Sequence, residues 1–284
     1  MSRVRAGPNC VRLLADFGAD VIRIEPPKGV DPNEGMFAAN REGGDFQNLN
    51  RNKRAMTLNL KKPGALDIMM RLVKTADVVV ENWRPDVKTR LGLDYESLAK
   101  VNPRIILASI SGFGQDGPYA WRPGFDQIIQ GMGGLMSVTG ERDDQPGGGP
   151  QKVGVPIVDL MTGMYAAVSV LAALARRNET GLGDNIDIGM LDVQVASLAN
   201  HAMNYLVSDK LPKRNGNAHP NIQPQDVYGC ANGQVILVVG NDGQFAKLCE
   251  VLGQAAWATD PRFAVNAQRV RNISVLSALL RTEF

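Results

Sequence analysis

The sequence predicts an α/β fold, in which parallel strands alternate with helices. Short apolar runs rich in β-branched residues, such as residues 21–25 and 76–82, are typical of buried strands. Segments of helical length separate these runs, which is the spacing of parallel crossover units. Glycine (30 residues) and proline (16 residues) are frequent, as many tight turns between strands and helices require. We therefore expect ligands at the carboxyl ends of the strands.

The first half of the chain supplies these units in order. We predict helices over residues 9–17, 63–75, 85–91 and 95–101, and strands over residues 21–25, 55–60, 76–82 and 104–111. Gly18 marks the end of the first helix, and Pro63 stands at the start of the second, where its missing N–H costs nothing. Residues 30–52 are polar and lack a clear period, which predicts a long surface loop.

The second half continues the alternation. We predict strands over residues 153–158, 185–188 and 234–239, and helices over residues 125–138, 160–177, 191–207, 244–252 and 266–281. The run at 153–158 is β-branched without alternation, which favours a buried strand. Residues 160–177 are apolar almost all the way round, which favours a helix buried against a sheet. Residues 140–151 are predicted to be a Gly-rich loop.

Composition excludes several classes of function. The 31 basic residues nearly balance the 29 acidic ones, so the net charge of +2 gives no argument for binding nucleic acid or a membrane surface. Cys10, Cys230 and Cys249 are widely spaced and form no metal or redox motif. No stretch approaches the length that spans a bilayer, and the first residues lack a signal-peptide hydrophobic region. We expect a soluble, cytoplasmic protein without a bound metal, nucleic acid or membrane.

One carboxylate stands out. Asp159 lies between the apolar run at 153–158 and the long helix that follows. It is either the N-cap of that helix or a functional group. A carboxylate at the positive end of a helix stays ionised, and nearby backbone N–H groups can receive an oxyanion, so Asp159 is also a plausible covalent nucleophile. Spacing alone favours the cap, because caps are much more common.

Motifs in order along nearly the whole chain resemble the class III CoA-transferases of the CaiB/BaiF type and their racemase relatives. They lie at residues 6–8, 14–25, 50–54, 76–83, 109–119 and 260–263. The segments around Asn200, at 204–206 and at 216–224 are most similar to transferases acting on succinyl-CoA and small dicarboxylates. The resemblance implies a homodimer of two interlocked subunits for a full-length chain.

The resemblance implies that Asp159 is the nucleophile. In that family the aspartate attacks an acyl-CoA thioester, a mixed anhydride forms, and CoA is then held on the aspartate as a thioester until a second acid accepts it. Coenzyme A and acyl-CoA are therefore expected as substrates, together with a carboxylic or dicarboxylic acid, and no permanently bound cofactor is expected. The sequence has no Walker loop, in keeping with a reaction that needs no ATP.

Further positions match family residues with a role in binding. The expected contacts to coenzyme A come from six residues, namely Leu58, Lys61, Asn82, Trp83, Arg90 and Phe113. Arg5 matches a position close to the acyl group, where a guanidinium could pair with the free carboxylate of a dicarboxylic acyl chain. His219 lies in the loop 216–224, which closes over the active site in relatives; it either contacts substrate or caps a turn.

The resemblance also sets the expected domains. We predict a Rossmann-like large domain with a parallel sheet and flanking helices over residues 1–207, a linker or active-site loop over 208–225, and part of a smaller α+β domain over 226–284. A strand is expected before the first helix, and the second domain is expected to continue beyond Phe284. The chain is thus expected to be truncated at both ends, which leaves a mitochondrial location open, since a targeting segment could precede it.

Two alternatives to a transferase stay open. The racemases of the family use the histidine of a Gly-His-Asp triplet to move a proton, and this chain has Gly124-Phe125-Asp126 instead. Phenylalanine exchanges no proton, which favours transferase over racemase or epimerase. The other alternative is an inactive relative that only binds CoA.

Overall fold

The structure is a computed structural model that describes residues 1–30 and 40–284. Its strands are β1 (Val21–Glu25), β2 (Lys53–Thr57), β3 (Val78–Glu81), β4 (Ile106–Ser111), β5 (Asp184–Gly189), β6 (Gln225–Cys230) and β7 (Gly233–Val238). Its α-helices are α1 (Ala6–Asp16), α2 (Gly44–Asn50), α3 (Ala65–Val73), α4 (Pro85–Arg90), α5 (Tyr95–Val101), α6 (Asp126–Met132), α7 (Leu135–Val138), α8 (Ile157–Thr180), α9 (Met190–Ala196), α10 (Asn200–Ser208), α11 (Asp242–Val251), α12 (Asn266–Arg271) and α13 (Ile273–Glu283).

The chain divides into two compact units. The larger comprises Met1–Leu135 and Lys152–Lys210, and the smaller comprises Met136–Gln151 and Leu211–Phe284. The domain limits that the sequence suggests, at residues 207 and 225, stay a prediction. The mixed α/β class with parallel strands and flanking helices is confirmed.

Two parallel sheets form the framework of the larger unit, where one was expected. β1 pairs with β2, and β4 lies between β3 and β5, all in parallel register. All six residues of β4 are buried, because helices cover both faces of its sheet. One face packs its aliphatic side chains, such as Ala108 and Ile110, against α1 and α8. The other face packs Leu107 and its neighbours against α3 and α5.

Helices α1 and α8 pack closely, because Gly163 of α8 faces α1 and has no side chain to keep the two backbones apart. A Cβ atom on Gly163 would lie 2.6 Å from Nδ2 of Asn9 and 2.8 Å from the carbonyl oxygen of Ala6. The same amide nitrogen of Asn9 donates to the carbonyl oxygen of Leu160, at 3.1 Å. The start of α1 is thus fixed against the first turns of α8.

Helix α8 overturns the expectation that no stretch could reach across a bilayer. With 24 residues of mainly apolar character, this helix is long enough and apolar enough to cross a membrane, judged by length and composition alone. In the larger unit, however, one side of the helix belongs to the core, with Ala166 and Val170 fully buried. Core helices of proteins that never enter a membrane reach the same length and apolar character.

The predicted strand at 153–158 is wrong. Residues 153–156 form an irregular segment, and α8 begins at Ile157, three residues earlier than expected. The N–H groups of Val153 and Val158 are satisfied by the side chains of Gln130 and Asp126 rather than by a neighbouring strand. Pro156 has no N–H to offer to a sheet, which favours a helix start at this position.

Other boundaries differ for local reasons. The predicted loop at 30–52 contains α2, whose Phe46 and Leu49 are buried one helical turn apart; residues 31–39 of that loop lie outside the described residues. The helices predicted over 125–138, 191–207 and 266–281 are each divided in two. The first breaks after Met132, at two consecutive glycines, and the second breaks at Ala199, whose φ is +47°.

The smaller unit is built on an antiparallel hairpin. β6, which was not predicted, pairs with β7, and Cys230 lies opposite Gly233. The hairpin packs its core side chain Tyr228 with Phe245, Phe263 and residues of α13. A fully buried arginine, Arg269, donates to the carbonyl oxygens of Gln223 and Phe263 and to the carboxylate of Asp242.

Candidate active site

Asp159 lies inside the first turn of α8, not at its cap. The N-cap position belongs to Pro156, so the cap interpretation is wrong. The side chain is only 9% exposed. Its carboxylate faces a different helix, since it accepts a hydrogen bond from the backbone N–H of Ala6, the first residue of α1. The carboxylate therefore lies at the positive end of α1 as well as in the first turn of α8.

The start of α1 needs such a partner. Its N-cap residue, Arg5, makes no side-chain capping hydrogen bond, which leaves N–H groups of the first turn without an acceptor from the cap. Asp159 supplies an acceptor from α8, and the close contact at Gly163 brings the two helices near enough for it. The position of the carboxylate thus follows from the packing of α1 on α8.

Asp126, the third residue of the Gly-Phe-Asp triplet, caps α8 from outside. Its Oδ1 accepts hydrogen bonds from the backbone N–H groups of Val158, at 2.8 Å, and Asp159, at 3.1 Å. Its Oδ2 accepts from Nε2 of Gln130 at 2.6 Å, and Oε1 of Gln130 accepts from the N–H of Val153 at 2.9 Å. Asp126 and Gln130 together hold the chain that leads into α8.

Two glycines place this triplet. A Cβ on Gly112, just after β4, would lie 2.6 Å from Cα of Gly124, and a Cβ on Gly124 would lie 2.3 Å from Cα of Gly112. No side chain fits between the two backbones. Their direct contact keeps Phe125 and Asp126 against the carboxyl end of β4.

Electrostatics make Asp159 an unusual carboxyl group. Burial, followed by the neighbouring charge of Asp126, raises the pKa of Asp159 to about 6. The positive charge of Arg5 and the N–H of Ala6 act in the opposite direction on this pKa. The group is therefore ionised at neutral pH, but it is more basic than an exposed aspartate, which makes it a better nucleophile.

Asp159 opens onto a cavity of about 220 Å³ at the carboxyl ends of β3, β4 and β5. The lining residues all belong to the larger unit, namely Arg3–Ala6, Asn82–Pro85, Ile110–Gly112, Arg122–Asp126, Asp159 and Met190. Among residues 1–30 and 40–284, no cluster of three or more His, Cys, Asp or Glu residues is placed to hold a metal ion.

Three of the residues predicted from the sequence line this cavity beside Asp159: Arg5, Asn82 and Trp83. The side-chain amide of Asn82 forms a pair of hydrogen bonds with the backbone of Arg3, each of 2.7 Å. The N–H of Trp83 donates to Oε2 of Glu81 at 2.8 Å. The turn after β3 thus fixes the segment that carries Arg5.

A buried ion pair supports the turn after β3. Nζ of Lys88 lies 3.4 Å from Oε1 of Glu81, and it donates to Oγ of Ser109 at 2.9 Å and to the side-chain oxygen of Gln115. Both charged residues are buried. Sequence reasoning singled out neither of them.

The other predicted contacts to coenzyme A are not among the residues that line this cavity. Lys61 and Arg90 are exposed, and Arg90 pairs with Asp86 at 3.1 Å. Leu58 is half-buried and packs with the core around Leu107. Phe113 packs edge-to-face on Tyr119, with 5.5 Å between the ring centroids. Their roles in binding coenzyme A stay predictions.

Arg5 has a partner that sequence reasoning missed. Its Nη1 donates to Oδ1 of Asp45 at 2.8 Å, and its Nη2 donates to Oδ2 at 2.6 Å. Asp45 belongs to α2, in the segment that was predicted to be a loop. Arg5 therefore lines the cavity while an internal carboxylate already holds its guanidinium.

His219 caps a turn in the smaller unit. Its Nδ1 accepts hydrogen bonds from the backbone N–H groups of Asn221 and Ile222, both at 3.1 Å. The turn-capping alternative is thus observed. A contact between His219 and substrate stays a prediction.

Known proteins with a related sequence or structure point to one family. The sequence model described as CoA-transferase family III matches residues 1–284. The chain is 47% identical to the succinate–glutarate CoA-transferase of Agrobacterium fabrum, and the alignment covers 100% of the chain and 72% of that protein. It is 41% identical to the acetyl-CoA:oxalate CoA-transferase of Acetobacter aceti, over 99% of the chain and 72% of that protein.

A solved structure agrees with both sequence matches. It is a CAIB/BAIF family protein from Brucella suis, with a TM-score of 0.81 and 44% identity, covering 100% of this chain and 75% of that one. The chain thus spans about three quarters of the length of these three relatives.

The raised pKa of Asp159 predicts a pH-dependent gain of stability in Asp159→Asn. In the folded chain this carboxyl has a pKa of about 6, against 3.8 as the ordinary value, so ionisation destabilises the folded state. The cost is absent below about pH 4 and is fully present above about pH 6. We expect the substitution to raise the free energy of unfolding by about 3 kcal/mol at pH 7.5, with the gain falling towards zero near pH 4.

Denaturant unfolding between pH 4 and pH 8 measures this difference. Asp67→Asn is the matched control, because Asp67 is an exposed aspartate in the first turn of α3. A gain that does not change with pH, or one that the control shows equally, would contradict the raised pKa.

Proposed function

The chain belongs to CoA-transferase family III, and from this membership we propose that it moves coenzyme A from an acyl-CoA to a small dicarboxylic acid through a thioester on Asp159. One observation carries the proposal: a buried carboxylate with a raised pKa faces a cavity and accepts a backbone N–H at the start of a helix. A nucleophile that must become an anhydride and then a thioester needs such an environment.

The reaction exchanges one acyl bond for another at each step. The carboxylate of Asp159 attacks the thioester carbonyl of the donor, and the CoA thiolate leaves, so a mixed anhydride is formed. The thiolate then attacks the side-chain carbonyl carbon of Asp159, and the donor acid leaves as its carboxylate. Asp159 now carries coenzyme A as a thioester. An acceptor carboxylate repeats both steps in reverse and leaves as acyl-CoA, which regenerates the aspartate.

The residues around Asp159 suit these steps. The N–H of Ala6 can donate to the side-chain oxygen of Asp159 on which negative charge develops when the thiolate attacks. Burial keeps water from the anhydride, which would otherwise hydrolyse. Asp126 holds the first turn of α8, so the carboxylate has a fixed orientation towards the cavity.

Arg5 supports a dicarboxylic substrate. It lines the same cavity as Asp159, and a guanidinium binds a carboxylate through two parallel hydrogen bonds. The similar protein of Agrobacterium fabrum is named for succinate and glutarate, each of which has two carboxylates. We infer that one carboxyl group of the substrate reacts at Asp159 while the other pairs with Arg5, and that succinyl-CoA or a similar thioester is the donor.

We further infer where coenzyme A lies and how the chain assembles. Asn82 and Trp83 contact the part of coenzyme A nearest the thioester, and Leu58, Lys61, Arg90 and Phe113 contact the remainder.

A homodimer is supported by exposed apolar side chains on α8 and α10 of the larger unit, namely Val168, Leu171, Leu206 and Val207. We propose a cytoplasmic enzyme. Racemisation is not supported, since Phe125 lines the cavity where the racemases have histidine.

Chemical trapping tests the proposed intermediate. Incubation of the intact protein with succinyl-CoA and then hydroxylamine should convert Asp159 to its hydroxamate, because hydroxylamine attacks both anhydrides and thioesters. Mass mapping of the peptides locates the modified residue. We expect Asp67→Asn to be trapped like the wild type, and Asp159→Asn to be neither trapped nor active. Trapping at another residue, or full transfer by Asp159→Asn, would refute the mechanism.

A change at Arg5 tests the substrate class. Arg5→Leu should raise KM about tenfold for dicarboxylic acceptors, because a charge-assisted contact is lost, and should change KM for monocarboxylic acceptors much less. Steady-state kinetics with glutarate and valerate, which have equal carbon numbers, measure the difference. Arg54→Leu is the control, since Arg54 pairs with Asp20 at the surface. Equal effects on both acids would show that Arg5 does not bind the distal carboxylate.

A further inference from the structure

We propose that Asp45 sets the balance between dicarboxylic and monocarboxylic substrates, because it holds Arg5 whenever no substrate carboxylate does. This inference rests on the proposed function, in which Arg5 binds the distal carboxylate of the substrate. Asp45 acts through Arg5 and is a specificity-determining residue rather than a catalytic one.

The geometry of the Arg5–Asp45 pair is the one that a substrate carboxylate would adopt. Both terminal nitrogens of the guanidinium donate, one to each oxygen of Asp45, at 2.8 and 2.6 Å. This parallel arrangement is the strongest contact that arginine makes with a carboxylate. The two side chains are about equally shielded, with 26% of Arg5 and 25% of Asp45 exposed. Asp45 thus occupies the edge of the guanidinium that best suits a carboxylate ligand.

The pair is held from two sides. Asp45 lies in the first turn of α2, which is anchored by the buried side chains of Phe46 and Leu49. Nζ of Lys53 donates both to the carbonyl oxygen of Leu49, at 2.5 Å, and to that of Pro8 in α1, at 2.9 Å. α2 is therefore tied to the helix that follows Arg5, and the distance between Arg5 and Asp45 is set by the fold.

Only one member of the pair faces the substrate. Arg5 lines the cavity beside Asp159, whereas Asp45 is not part of the lining. A substrate carboxylate in the cavity can thus reach the guanidinium of Arg5, but it must share that group with Asp45 or take its place.

The consequences differ for the two kinds of acid. A monocarboxylic acyl chain leaves the pair intact, so the partly buried guanidinium stays hydrogen-bonded. Without Asp45, a bound monocarboxylic substrate would leave the guanidinium of Arg5 without a carboxylate partner, which is unfavourable. A dicarboxylic chain must compete with Asp45, so its binding is weakened by that carboxylate. Asp45 therefore improves binding of monocarboxylic acids relative to dicarboxylic ones.

The substitution Asp45→Asn tests this. It removes the charge and keeps the shape, so the kcat/KM ratio of glutarate to valerate should rise about tenfold, the change expected for one charge-assisted contact. Asp45→Glu keeps the charge and should leave the ratio near that of the wild type. Asp20→Asn is the matched control, because it removes the carboxylate from another bidentate pair with arginine, on the exposed surface.

A double substitution separates the pair from other effects. In an Arg5→Leu background, Asp45→Asn should leave the ratio unchanged, because its partner is gone. The inference is overturned if Asp45→Asn leaves the ratio unchanged or lowers it, or if it still alters the ratio in the Arg5→Leu background. Should Asp45→Asn fail to fold, the kcat/KM ratio of glutarate to valerate in Asp45→Glu decides. A ratio equal to that of the wild type would support the inference. A ratio that shifts in the same direction as in Arg5→Leu would overturn the inference.

The same measurements distinguish this inference from the proposed function. If Arg5→Leu alters both acids equally, or if the wild type transfers to neither, the proposed function fails and the inference fails with it. If Arg5→Leu weakens dicarboxylates selectively but Asp45→Asn does not change the ratio, only the role of Asp45 is refuted.

Discussion

The contact between α1 and α8 is the constraint on which the site depends. A carboxylate on one helix meets the N–H groups at the start of another only if the two backbones approach closely, and glycine at position 163 allows this. Asn9 adds a hydrogen bond from α1 to the carbonyl oxygen of Leu160. The same packing buries Asp159 and directs it to the carboxyl ends of the strands. Fold and chemistry therefore rest on one interface within the larger unit.

The site holds opposing electrostatic effects in balance. Burial and Asp126 disfavour the ionised form of Asp159, while Arg5 and the N–H of Ala6 favour it. The result is a carboxylate that is ionised at neutral pH yet gains more than an exposed one by forming an acyl bond, which removes its charge. Stability is given up at this position for reactivity, as is common where a group must act as a nucleophile. Arg5 takes part in this balance and also pairs with Asp45, so it links the reacting carboxyl to the substrate that we propose for it.

Much of the fold follows from local sequence signals. The strands β1, β3 and β4 are β-branched and lie between clear turn signals, so the sequence predicts them closely. Asp159 is identifiable because it is a lone carboxylate beside apolar residues, and the resemblance to the family gives it a role. The predicted position of Asp159, between a strand and α8, is wrong, because residues 153–158 have the composition of a strand. The structure shows instead that the side chains of Gln130 and Asp126 accept hydrogen bonds from the N–H groups of Val153 and Val158. Asp126 and Asp45 were missed because each acts on a residue more than thirty positions away in the sequence. No periodicity reports a contact of that kind.

The proposed chemistry depends most on the ionisation of one side chain. The carboxyl carbon of Asp159 can be titrated by ¹³C NMR in protein labelled at aspartate, with Asp159→Asn to assign the signal and Asp126→Asn to remove the neighbouring charge. The structure predicts a midpoint near pH 6 for Asp159, and a lower midpoint in Asp126→Asn. A midpoint near the ordinary value of 3.8 in both proteins would contradict the account, because it would mean that this carboxylate is neither buried nor influenced by Asp126.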